Sequence, residues 1–219
     1  MIESTIPLCP IGVKDGELLP AWADPVHAAQ SCFRQVLRAL SEPGTVQTIA
    51  IDMPVPAATY PASVALCLCL LDYDTPLYLS PKLDNAALKA YLRFHCGCPL
   101  TQQMENAAFA LLDATDEELC LSAFAQASLD FPERSCTLFV QVPSLHSTYA
   151  TDHRFMHGPG IAEQHILRVQ GLPANFDAMW CANQESFPLG VDIVFCCANQ
   201  IVGLPRTTKL QREPLCTSQ

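Results

Sequence analysis

Apolar residues recur at spacings of three and four through "ADPVHAAQSCFRQVLRALSEPG", where Val26, Ala29, Phe33, Val36, Leu37 and Leu40 share one side of a 3.6-residue period. The pattern predicts a helix capped by Asp24, with Pro25 in its first turn and Ser41-Glu42-Pro43-Gly44 as its end. Next, "YPASVALCLCLLDYDTP" is apolar on all sides, so periodicity alone does not separate helix from strand. Thr59 and Pro61 read as a helix start, and Ala, Leu and Cys outnumber β-branched residues, which favours a helix. Two further helices are predicted, over "LDNAALKAYLRFHCGCP", with Asp84 as cap and Gly97 and Pro99 as stop, and over "LPANFDAMWCANQESFP".

Between them lie short apolar runs that read as strands: residues 77–79, 107–112 and 136–142. Residues 116–126 read as a short helix. Near the end an apolar run over 191–197, the turn-like Ala198-Asn199-Gln200 and a second, shorter run read as a hairpin. Strands and helices alternate before that hairpin, so the expected fold is α/β, a mixed sheet with flanking helices. There is no internal repeat and no linker, and the expected organisation is one domain over residues 21–219 behind an N-terminal extension at 1–20.

At 219 residues, half of them hydrophobic, the chain can bury a substantial core. Twelve basic residues against 22 acidic ones give a formal charge of −10, which disfavours a nucleic-acid footprint. The N-terminus has early acids, scattered prolines and no apolar h-region, and the longest apolar run is far short of the ~20 residues that span a bilayer. The expected setting is therefore soluble and cytoplasmic, away from membranes. Of the 12 cysteines, none stands in a C-x-x-C pair. Without zinc spacing or an export signal, they are expected to be reduced thiols that pack as small hydrophobes.

Four stretches offer chemistry, each with a plainer alternative. His95-Cys96-Gly97-Cys98 holds soft ligands, yet its spacing is too tight for a typical structural zinc site, and a histidine at a helix C-terminus beside packing cysteines is favoured; no metal is expected. Asp72 and Asp74 read as a turn before Pro76 rather than a carboxylate pair. Gly158-Pro159-Gly160 is either ordinary turn punctuation or a place where backbone approaches a ligand. Arg206-Thr207-Thr208 joins a guanidinium fork to two hydroxyls, which makes it an anion cradle or a strand end bound by a salt bridge or a subunit contact. No phosphate loop, dinucleotide fingerprint, nucleophile elbow or zincin motif is present, and no catalytic residue can be named.

Taken together, "FRQVLRALSEPG", "LLDYDTPLYLS", "LRFHCGCPL", "GPGI", "FPLGVDIVF" and "LPRTT", in this order across most of the chain, resemble the PhnH family, the H subunit of the bacterial carbon-phosphorus lyase system. The resemblance implies a fold related to pyridoxal-phosphate-dependent transferases but without a cofactor, and the four lysines, 14, 82, 89 and 209, lie in no context resembling a cofactor site. It also implies a homodimer when isolated, a complex with subunits G, I and J, and work with G, I and the transient L in joining the ribose triphosphate of ATP to methylphosphonate with loss of adenine, before J cleaves the carbon-phosphorus bond. Cys96 and Cys98 depart from the family's usual smaller or hydroxyl residues. A complex of this kind would have use for a nucleotide or phosphonate site at Arg206, Thr207 and Thr208, helped by His95, Gly158 and Gly160. Fold maintenance or docking of a neighbouring subunit is the competing role for the same residues.

Overall fold

A computed structural model describes residues 18–116 and 119–212. The first helix, α1 (Pro25–Ser41), starts as its sequence dictates: Pro25 occupies the first turn and the Asp24 carboxylate accepts from His27 N at 3.2 Å. Its buried side is Cys32, Val36 and Ala39, whereas Val26, Phe33 and Leu37, assigned to the buried face by periodicity, are exposed. The apolar arc of α1 is wider than the surface it covers, so one apolar column overhangs. Strand β1 (Gln47–Thr48) follows.

Helix α2 (Pro61–Leu70) is buried on nearly every side, as its uniform apolarity requires. Its start is held from a distance. The Gln141 side chain accepts from Tyr60 N at 2.7 Å and donates to Ala58 O at 3.0 Å. Strand β2 (Leu77–Leu79) leads to α3 (Ala86–His95), whose cap is Asn85, accepting from Leu88 N at 2.9 Å. Asp84, the expected cap, instead pairs with Lys89.

Strands β3 (Leu100–Thr101), β4 (Phe109–Asp113) and β5 (Thr137–Gln141) come next, but only a 3₁₀ turn at Leu121–Ala123 stands where a short helix was expected. After β6 (His153–His157) and β7 (His165–Arg168), α4 (Phe176–Glu185) precedes the predicted hairpin of β8 (Asp192–Cys197) and β9 (Gln200–Leu204), and β10 (Lys209–Gln211) follows.

Seven strands form one mixed sheet in the order β1-β9-β8-β5-β4-β2-β3. Strands β8, β5, β4, β2 and β3 run parallel, and the antiparallel β9 and β1 complete one side. One face packs against α1, α2 and α3 through Val36, Leu66, Leu88 and Leu92. The other packs against α4 and a small antiparallel sheet, β10-β6-β7, through Phe176, Trp180, Met156 and Leu167. The architecture is α/β with the sheet between two layers, as the alternation of elements predicts. None of the helices among the described residues is long and apolar enough to cross a membrane.

Candidate functional site

The ends of the parallel strands differ in chemistry. At their C-terminal ends the chain changes direction at β2, pairing it with β3 on one side and with β4 on the other. In open α/β sheets such a switch leaves a crevice. Here it is small, about 10 Å³, with Ser80, Asp113 and Asp116 among its polar lining and Tyr78, Leu112 and Phe124 beneath.

Ser80 Oγ accepts from Asp113 N at 3.1 Å, which fixes the end of β4 against the end of β2. The Asp113 carboxylate accepts from Thr115 N at 2.9 Å and from the Thr115 hydroxyl. Lys82 Nζ donates to Thr115 O at 2.6 Å and lies 3.9 Å from Asp116 Oδ1. The Asp116 side chain is only 10% exposed, and its Oδ2 has no hydrogen-bond partner among the described residues. Beside this group stands Tyr60, whose phenol is pushed up by burial and, secondarily, by the charges of Cys197 and Asp113. Ser80, Asp113 and Asp116 line the crevice, and Lys82 and Tyr60 stand near its carboxylates outside the lining. With two carboxylates and, among the described residues, no cation in its lining, and room for about one water, the crevice suits a single hydroxyl or amino donor rather than a phosphate.

The residues singled out in the sequence lie elsewhere. Arg206 follows β9 and stands beside Asp192, the first residue of β8, at the N-terminal ends of the parallel strands. Its guanidinium has five donors. Nε faces both Asp192 oxygens at 3.2 Å, Nη2 bonds Asp192 Oδ2 at 2.6 Å and the Ser135 hydroxyl, and Nη1 bonds Pro132 O at 3.2 Å and Pro188 O at 3.1 Å. Every donor is engaged within the chain, so an incoming anion would have to displace Asp192.

Gly158 and Gly160 are places of close backbone approach, but to protein. A Cβ on Gly158 would lie 3.0 Å from Thr207 O, and one on Gly160 would lie 2.1 Å from Ser41 O. The turn therefore seats between the end of α1 and the Arg206-Thr207-Thr208 segment, and "SEPG", "GPGI" and "LPRTT" meet in space. Thr208 is buried; its carbonyl accepts from Trp180 Nε1 at 2.8 Å, while its hydroxyl has no partner. His95 belongs to a different neighbourhood, its Nε2 donating to Leu19 O at 2.9 Å and its ring against Tyr91 at 4.4 Å.

Cys96 and Cys98 sit beside the buried Cys67, and no group of three metal-ligating side chains forms among the described residues. Burial and neighbouring thiols hold the Cys67 proton well above its ordinary range. Sequence reasoning missed Ser80, Lys82, Asp113, Thr115 and Asp116, because their only signal is polar residues at the ends of two short strands. It also missed Asp192 and Ser135 as the partners of Arg206.

The fold and its two strand-end clusters define an α/β protein with a polar switch-point crevice and an internally clamped arginine. This chain belongs to the bacterial phosphonate metabolism protein (PhnH) family, whose model matches residues 20–211. It is 36% identical over 193 residues to "Alpha-D-ribose 1-methylphosphonate 5-triphosphate synthase subunit PhnH" of Rhizobium meliloti (strain 1021), covering 88% of this chain and 95% of that relative. It is also 27% identical over 181 residues to "Putative C-P lyase subunit protein HtxG" of Stutzerimonas stutzeri, covering 83% of this chain and 85% of the relative.

Proposed function

We propose that this chain is a cytoplasmic subunit of a phosphonate-processing assembly that includes subunits G, I and J, required with G, I and the transiently acting L for joining the ribose triphosphate of ATP to methylphosphonate with displacement of adenine. The observation that carries this reading is the family match over residues 20–211, joined to a relative that bears the synthase-subunit name over 95% of its length. Kinship with pyridoxal-phosphate-dependent transferases and a homodimer in the isolated state belong to the same proposal. The seven-stranded mixed sheet supports the first.

Within this reading Arg206, Thr207, Thr208, Gly158 and Gly160 hold the N-terminal ends of the strands and the turns around them. The crevice at Ser80, Asp113 and Asp116, beside Lys82, admits a single donor group of a ligand rather than a whole ligand. A second reading, a purely structural assembly subunit with no ligand site, draws support from the engagement of all five Arg206 donors. The test is to reconstitute coupling of ATP to methylphosphonate from the purified subunits with and without this chain. The expected result is loss of turnover when it is omitted. Full turnover without it overturns the proposal.

A further inference from the structure

Leu18, Val26, Phe33, Leu37 and Phe94 make up half of the large apolar side chains exposed among the described residues. Val26, Phe33 and Leu37 fall within about 40° of one another around α1, at 3.6 residues per turn. They are 63%, 45% and 51% exposed. The column beside them contains Pro25 and Ala29, which form one wall of a groove of about 660 Å³; Leu68 and His95 contribute to the far side. Phe94, 70% exposed, packs edge-on against His95 at 4.9 Å, and Leu18 precedes the residue whose carbonyl His95 holds. The stripe thus adjoins the groove through Pro25 and Ala29, and Phe94 adjoins it through His95.

Two further observations say what covers it. Trp22 lines the groove, and its indole Nε1 is a buried donor with no acceptor among the described residues. Such a donor carries a desolvation cost unless an acceptor arrives from outside. Moreover, α1 carries Arg34 and Arg38 beside the stripe and no acid within its bounds, in a chain with a net charge of −10; the nearest carboxylates, Asp24 and Glu42 at the helix caps and Asp52 in the groove, lie off that edge. A second copy docking antiparallel through α1 about a twofold axis would set the two Arg34–Arg38 edges on the same side. The charge pattern calls instead for an acidic edge.

We propose that this surface docks an apolar segment of a different subunit, one whose carboxylates flank the apolar residues facing Arg34 and Arg38. The proposal rests on the subunit reading above. The large exposed apolar area, which monomeric surfaces rarely keep, becomes the buried centre of the contact, and the arginines form its rim.

The test is co-purification of tagged chain with co-expressed subunits G, I and J, comparing wild type with Phe33→Asp/Leu37→Asp and Arg34→Glu/Arg38→Glu. The apolar double variant is expected to lose at least ten-fold of the bound subunits, as truncation of a buried hot spot does. The charge-reversal variant should bind several-fold less at low salt, with the gap narrowing at high salt as rim charges are screened. All four positions are exposed in the free chain, so both variants should keep the wild-type circular dichroism melt. Equal recovery of partners by wild type and both variants overturns the docking surface. Failure of wild type itself to bind overturns the subunit reading instead. Retained partners with a dimer converted to monomer, read by light scattering, would assign the surface to a second copy and also overturn the proposal. So would retained partners in both variants together with a lower melting temperature on deletion of residues 1–17, which assigns the groove to the chain's own N-terminal segment.

Discussion

Asp192 accepts from Arg206 three times over, from the backbone N at 2.8 Å, from Nε at 3.2 Å and from Nη2 at 2.6 Å, while the far side of the guanidinium ties together the carbonyls of Pro132 and Pro188. Three loops at one end of the sheet therefore share one cation. The pair is largely buried, with side chains 13% and 22% exposed. Removing one member strands the other without water to replace it. Arg206→Ala and Asp192→Ala should each destabilise the chain by about 3 kcal/mol or more. Arg206→Lys should recover only part of the loss, because an ammonium cannot reach a bidentate carboxylate and two carbonyls together. Urea denaturation of the isolated chain checks this. A change below about 1 kcal/mol for Arg206→Ala would mean that the guanidinium is free for a ligand.

Gly160 and Gly97 both adopt positive φ, +80° and +67°, but only Gly160 is also pressed against backbone. A methyl at Gly160 meets Ser41 O at 2.1 Å, whereas one at Gly97 meets nothing within 4 Å. Gly97→Ala should therefore cost only the left-handed conformation, about 1–2 kcal/mol. Gly160→Ala adds displacement of the turn from α1, and should cost about 3 kcal/mol or more in total. Denaturation midpoints measured side by side test the difference.

These energies also explain what was legible in the sequence. All four helices were readable, since caps, prolines and 3.6-residue spacing are local signals. The buried face of α1 was not fully readable: Val26, Phe33 and Leu37 fit the period as well as Val36 does, and only tertiary coverage decides which column is left out. Strands β1, β3 and β10, of two or three residues each, are too short to carry a period of two, and they exist because a distant strand pairs with them. The predicted helix over 116–126 gave way to a single 3₁₀ turn carrying Leu121, whose side chain is buried in the second core. At the strand ends Arg206 stood out by its chemistry, but its partner lies 14 residues upstream, and two of its acceptors are backbone carbonyls that no residue type announces.

Burial pushes the Cys196 thiol from its ordinary 9.0 up to about 12 and the Tyr91 phenol from 10.0 to about 12, and it holds Cys67 protonated in the same way. For each group the folded state keeps a proton that the unfolded chain releases. The stabilising contribution is complete below the unfolded value and is lost as pH climbs toward the folded one. Stability should be flat from neutral pH to about 9 and then fall, by about 1.4 kcal/mol per pH unit for each such group. Cys196→Ala should lower stability at neutral pH, through the lost sulfur, yet make the alkaline decline shallower. Urea midpoints across this range test it; an unchanged slope in the variant would exclude Cys196 as a contributor.

The crevice at the switch of β2 separates a ligand-handling subunit from a purely structural one. Asp116 Oδ2 is buried without a partner, and Lys82 lies 3.9 Å from the other oxygen while being held by Thr115. A buried acceptor left bare costs stability, so its retention at the one crevice the strand order creates is explained if a ligand donor completes it. In that case Lys82→Met and Asp116→Asn, assayed in the reconstituted complex, should each lower ATP-to-methylphosphonate coupling by roughly ten-fold, one charge-assisted hydrogen bond, while co-purification with the partners is unchanged. Arg206→Lys should behave differently, reducing recovery of assembled complex in proportion to the loss of folded chain, with turnover per assembled complex near wild type. Undiminished coupling in assembled Lys82→Met and Asp116→Asn complexes would remove the ligand role and leave the chain as a structural member of the assembly.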